Sequence, residues 1–112
     1  MKQYVHPQKD DITLAGVLGA LSDPIRLRIV QELAAGGGEL PCGHFCLGVQ
    51  KSTMSHHMRV LREAGLVHHR SEGTHSLTSL RREELEAAFP GLLPVILNAM
   101  RRGDIVLPKD DK

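Results

Sequence analysis

The chain has 112 residues, 41% hydrophobic and only 3% aromatic, with a formal net charge of +1. That length suits one domain with an aliphatic core, and the apolar share argues against a disordered chain. The lack of Trp argues against the stacking platforms of many single-strand binders. No apolar run approaches membrane-spanning length and no signal peptide is visible, so the two cysteines read as reduced thiols in a cytoplasm.

In chain order, residues 1–9 read as a flexible arm, residues 10–102 as one domain and residues 103–112 as a flexible tail. Asp10 to Leu21 is predicted to be a first helix. Ile12, Ala15, Val17, Leu18 and Leu21 make it apolar over more than one face, which marks it as a dimer element. Ser22-Asp23-Pro24 restarts the chain, with Asp23 as cap and Pro24 at the first helical position. A second helix follows to about Ala35 and stops at Gly36-Gly37-Gly38. Pro41 is expected to start one or two helical turns that carry Phe45 inward, and Gly48-Val49-Gln50 to turn into a longer helix.

That longer helix is predicted between Lys51 and Leu66. Ser52 is its expected cap, Gly65 its stop, and Met54, Met58, Leu61 and Ala64 its apolar stripe. A short helix, a turn and a longer helix with a polar outer face make a helix-turn-helix. The period then changes to two, which predicts strands at 66–70 and 75–79 joined by Ser71-Glu72-Gly73-Thr74, a wing. Arg81 to Ala88 reads as a helix, and Pro90 as the start of a last helix to Arg102. Leu92, Leu93, Val95, Ile96, Leu97 and Met100 make this last helix apolar nearly all round, and a chain this small needs a partner surface for it. The expected fold is mainly α with a small β-hairpin, a winged helix-turn-helix that dimerises through its first and last helices. The expected dimer set is Ile12, Leu14, Val17, Leu18, Leu92, Leu93, Ile96, Leu97 and Met100.

Charge distribution is more telling than net charge. From Lys51 to His75 there are four Lys/Arg against two Glu, with five of the seven histidines. Base edges are met by the N-terminal half of a recognition helix, here Ser52, Thr53, Ser55 and His56. Lys51, Arg59 and Arg62 suit phosphates, and Arg70, Thr74 and His75 at the hairpin suit the neighbouring groove or backbone. His57 lies at the edge of the apolar stripe, where a packed, hydrogen-bonded imidazole is the plainer reading. Neighbouring histidines point different ways, so neither His56-His57 nor His68-His69 chelates one ion simply.

Cys42, His44 and Cys46 leave three readings open. In a helix, Cys42 and Cys46 share a face, and the dipole of the first turn favours a thiolate. Two thiolates and an imidazole suit a soft metal or metalloid, the same pair suits redox chemistry, and two small buried hydrophobes beside Phe45 are the plainer reading. No cofactor is required for the fold. A thiol or metal enzyme lacks an orienting acid, a second base and an identifiable cleft, so the chain reads as no enzyme.

Three motifs in order and spacing resemble the ArsR/SmtB family of bacterial winged-helix repressors. Asp23, Pro24, Arg26 and Ile29 match the second-helix pattern. Ser55, His57, Met58, Leu61, Ala64, Gly65, Leu66 and Val67 match the recognition helix, and Arg70, Glu72 and Gly73 the wing. The resemblance covers roughly residues 14–80 and implies a homodimer joined by its first and last helices, which binds operator DNA in duplex form and is released by a signal. Two of the family's metal sites are not supported. The Cys-x-Cys pair before the recognition helix is replaced by Pro41-Cys42-Gly43-His44-Phe45-Cys46, and between Phe89 and Arg102 there is no Asp, Glu, His or Cys. A winged-helix protein–protein interaction module without specific DNA binding is the alternative left by the low net charge.

Overall fold

The computed structural model describes residues 4–45 and 48–101, the side chain of Cys42 excepted. Thr13 opens helix α1 (Leu14–Ala20) by accepting from the Gly16 N–H at 3.0 Å. The continuous helix expected from Asp10 is therefore broken. Lys9–Asp11 forms its own 3-10 turn, and Ile12 and Thr13 are extended. That extension carries the Ile12 side chain into the core. Helix α2 (Pro24–Gly36) begins as expected: Asp23 accepts from the Arg26 N–H at 3.1 Å, and Pro24 fills the first turn, where a missing N–H costs nothing. It ends where Gly37 turns left-handed at φ 72° and donates to Leu33 O.

The connection to the long helix departs from expectation. Leu40–Pro41 is a short strand, β1, and only Cys42–His44 forms a 3-10 turn. Pro41 has no N–H to give a ladder, and an edge strand is where a sheet tolerates that. Phe45 is buried, as expected. Helix α3 spans Lys51–Glu63. Its cap is Gln50, whose carbonyl accepts the Met54 N–H at 2.9 Å, so Ser52 lies inside the first turn rather than capping it. Gly65 ends it at φ 89°.

Strands β2 (Val67–Glu72) and β3 (His75–Leu80) pair antiparallel, from Val67 opposite Leu80 to Glu72 opposite His75. The tip is thus Gly73-Thr74 alone, with Gly73 at φ 62° supplying the turn that a two-residue hairpin demands. β1 adds to the other edge of β3, giving the order β1-β3-β2. Helices α4 (Arg82–Ala88) and α5 (Leu92–Arg101) follow, with Gly91 at φ 82° between them.

One core joins all five helices to the sheet. Ile29, Val30 and Leu33 of α2 meet Val17, Met58, Leu61, Val67, Leu85 and Leu93. Of the expected dimer residues, Ile12, Val17, Leu93 and Met100 are buried within the chain, while Leu92, Ile96 and Leu97 are half-buried. Leu14 and Leu18 remain 47% exposed, and Val95 is 66% exposed. Both terminal helices therefore carry apolar side chains that their own core does not cover. Among the described residues no helix is long and apolar enough to cross a membrane.

Candidate nucleic-acid interface

Helix α3 turns two different faces outward and inward. His57, Met58 and Leu61 are buried; Lys51, Ser52, Thr53, Ser55, His56 and Arg59 are exposed. Among the described residues no carboxylate pairs with Lys51 or Arg59, so both cations stand ready for an external anion. The wing tip adds exposed Thr74 and His75.

Arg26 sets how this helix sits. Its Nε donates to Ala20 O at the end of α1 at 2.6 Å, and its Nη1 meets His57 Nδ1 on α3 at 3.1 Å. A guanidinium only donates, so Nδ1 accepts and the imidazole proton lies on Nε2. One side chain of the Asp23-Pro24-x-Arg26 motif thus ties together three helices. Burial lowers the His57 pKa, opposed by Asp23 at 3.9 Å and assisted by Arg26 and His56. The packed imidazole expected from sequence is what the fold contains.

His69 locks the wing to the recognition helix. Strand alternation sends His68 outward and His69 inward. His69 Nδ1 lies 2.9 Å from Thr78 Oγ1 and Nε2 lies 3.4 Å from Met58 O. A carbonyl only accepts, so Nε2 carries the proton and Nδ1 takes the threonine hydroxyl's. Burial is the main reason its pKa falls to about 4, with Arg62, His6 and His68 adding to it. Between about 4 and the ordinary 6.5 the unfolded chain binds a proton that the folded chain refuses. Stability therefore rises with pH across that window and this contribution is complete above it. Thermal melts of wild type and His69→Gln, which keeps a donor and an acceptor without titrating, test this. The variant's melting temperature should fall less between pH 6.5 and pH 4; equal falls would show that His69 does not drive the change.

Two expected contacts are engaged inside the chain. Arg70 makes a bidentate pair with Glu39 at 2.6 and 2.8 Å and reaches Glu72 at 3.0 Å. The guanidinium holds the Glu39 carboxyl below its usual range, and the carboxylates hold Arg70 more firmly protonated. Arg62 is half-buried, with its guanidinium 5.2 Å from the Tyr4 ring centroid.

The arm supplies contacts that sequence reasoning missed. β2 is an edge strand of the sheet, and its outward His69 N–H donates to His6 Nε2 at 3.0 Å. His6 stacks on His68 at 4.3 Å, Arg81 donates to Pro7 O at 2.8 Å, and Tyr4 OH meets Ser76 Oγ at 2.8 Å. Burial, then His68, Arg81 and Arg62, lower the His6 pKa, which favours the neutral acceptor this bond needs. The partners lie more than 60 positions apart, so no local pattern announces them.

His44, proposed from sequence as a third ligand beside two thiols, bonds Glu32 at 2.9 Å. Cys46 lies outside the described residues. Cys42 opens a 3-10 turn of three residues, too short for the aligned peptides that the helix-dipole argument assumed. Among the described residues no three His, Cys, Asp or Glu side chains come together as a metal site.

A family model described as a helix-turn-helix domain matches residues 21–70. The chain is 38% identical over 92 residues to an uncharacterised HTH-type transcriptional regulator, YceK, of Bacillus subtilis, covering 80% of this chain and 91% of that one. A second such regulator, from Methanocaldococcus jannaschii, is 39% identical over 61 residues, 54% of this chain and 68% of that one. Among solved structures, the transcriptional repressor BigR from Xylella fastidiosa superposes with a TM-score of 0.55 at 29% identity, over 68% of this chain and 85% of that one. A structure described as a possible transcriptional regulator for arsenical resistance gives 0.56 at 28% identity, over 82% and 85%.

Proposed function

The chain belongs to the winged helix-turn-helix transcriptional regulators, and we propose that it is a homodimeric repressor of the ArsR/SmtB type that binds operator DNA. Its relatives are transcriptional regulators rather than enzymes. The observation that carries the reading is the outer face of α3, where Lys51, Ser52, Thr53, Ser55, His56 and Arg59 stand exposed beside a wing whose tip is also exposed. Ser52, Thr53, Ser55 and His56 read base edges from the major groove, and Lys51 and Arg59 hold phosphates. Thr74 and His75 reach the flanking backbone. Arg62 and Arg70 act more weakly, since each already has an internal neighbour. Leu14, Leu18 and Val95 are the uncovered side chains through which two copies join. A signal releases the DNA. If that signal is a thiol one, it rests on Cys42 and Cys46 without His44, whose ring is held by Glu32.

Mobility shifts on the protein's own promoter duplex test the roles. Arg59→Ala should weaken binding to operator and scrambled duplex alike, by about tenfold for a lost phosphate contact. Ser55→Ala and His56→Ala should instead narrow the gap between the two duplexes. A uniform loss for all three variants would overturn the base-reading assignment. Wild-type protein that treats both duplexes alike would favour a protein-interaction module.

A further inference from the structure

Between the arm and the recognition helix lies a cavity of about 690 Å³, within the size range of small-molecule sites. Phe45, Met54 and Met58 give it apolar walls, and Tyr4, Arg62 and Ser76 line it with polar groups. Arg62 is the anomaly. Its Nε is buried with no hydrogen-bond partner, and among the described residues no carboxylate pairs with it. Buried guanidinium donors are ordinarily satisfied, because an unmet one has lost its water for nothing. Here the ring of Tyr4 lies over the guanidinium and Tyr4 OH is tied to Ser76, so the arm holds Arg62 in place.

We propose that this cavity binds a small organic acid, an aryl or alkyl monocarboxylate. Its apolar body packs among Phe45, Met54 and Met58, and its carboxylate accepts from Arg62. Of the two cations that line the cavity, Lys51 is exposed, whereas Arg62 brings a buried, unmet donor that one carboxylate would satisfy; His69 is neutral and already bonded on both nitrogens. Lys51 and Ser55 border the same cavity and also stand on the exposed face of α3, so an occupant is placed to act on the recognition helix. That last step rests on the DNA-binding reading above; the binding itself does not.

Tyr4 is the only tyrosine and there is no tryptophan, so tyrosine emission of the full chain reports this cavity without DNA. Sodium phenylacetate and sodium octanoate are titrated against phenylacetamide. At least one carboxylate should change the emission saturably below millimolar concentration, while the amide leaves it unchanged. Arg62→Gln should weaken uptake by about tenfold, the scale of one charge-assisted hydrogen bond. Should that variant not fold, Met54→Glu offers the guanidinium an internal carboxylate and should abolish uptake. Saturation by neither carboxylate, equal binding of the amide, or undiminished binding to whichever of the two variants is folded would overturn the site.

Discussion

Gly65→Ala is expected to destabilise the fold by about 2–5 kcal/mol, summing a left-handed backbone penalty and an overpacked core. Two independent features converge there. The residue sits at φ 89°, where a Cβ is strained whatever the space. A Cβ would also collide with Cγ1 of Ile12 and lie 2.6 Å from its Cδ1. Ile12 cannot swing aside freely: it is β-branched, buried, and delivered by the extended stretch before the Thr13 cap. Ile12→Ala alone should cost about 2–4 kcal/mol as a lost core side chain. The double variant should cost clearly less than the sum, because the truncated isoleucine vacates the space the new methyl needs. Urea melts of the four proteins give the coupling. Strict additivity would show that the two side chains do not compete, and that backbone strain alone explains the glycine.

Leu18→Glu is expected to leave each chain folded and to abolish the dimer, with operator affinity lowered by about a hundredfold or more through loss of the linked second half-site. Leu18 is 47% exposed in the isolated chain, so the glutamate meets water there and costs little. In a two-fold dimer the same patch faces itself, so each substitution enters the interface twice and brings like charges together. Val95→Glu, at a side chain 66% exposed on α5, should act the same way. Sedimentation velocity and a mobility shift read the two effects on one preparation. Variants that remain dimeric with undiminished affinity would remove α1 and α5 from the interface.

What was legible in the sequence was whatever is decided within a turn or two. Asp23-Pro24, the Gly37 stop, the Gly65 stop and the alternation that turns His68 and His69 to opposite faces all follow from neighbours close in the chain. Features decided by distant partners were not legible. The helix expected from Asp10 breaks because Ile12 is needed opposite a residue without a side chain, more than fifty positions on. Leu40–Pro41 is a strand only because β3 offers an edge to it, and the bidentate partner of Arg70 is the distant Glu39, which precedes that edge strand. The cap at Gln50 was missed for a smaller reason. Its extended backbone and free carbonyl serve the first turn without a side-chain oxygen, so composition favoured Ser52. The exposed face of α3 was readable as a polar stripe, but the cavity beneath the arm was not, since it depends on Tyr4 reaching Ser76 and Arg62.

In the proposed complex two copies of this chain present two α3 helices to one duplex. Fluorescence anisotropy of a labelled promoter duplex, titrated with protein at several salt concentrations, measures stoichiometry and phosphate contacts together. Two chains per site are expected, with an affinity that falls with salt at a log–log slope of roughly −5 for about six neutralised phosphates. A single chain per duplex, or an affinity indifferent to salt, would contradict that complex.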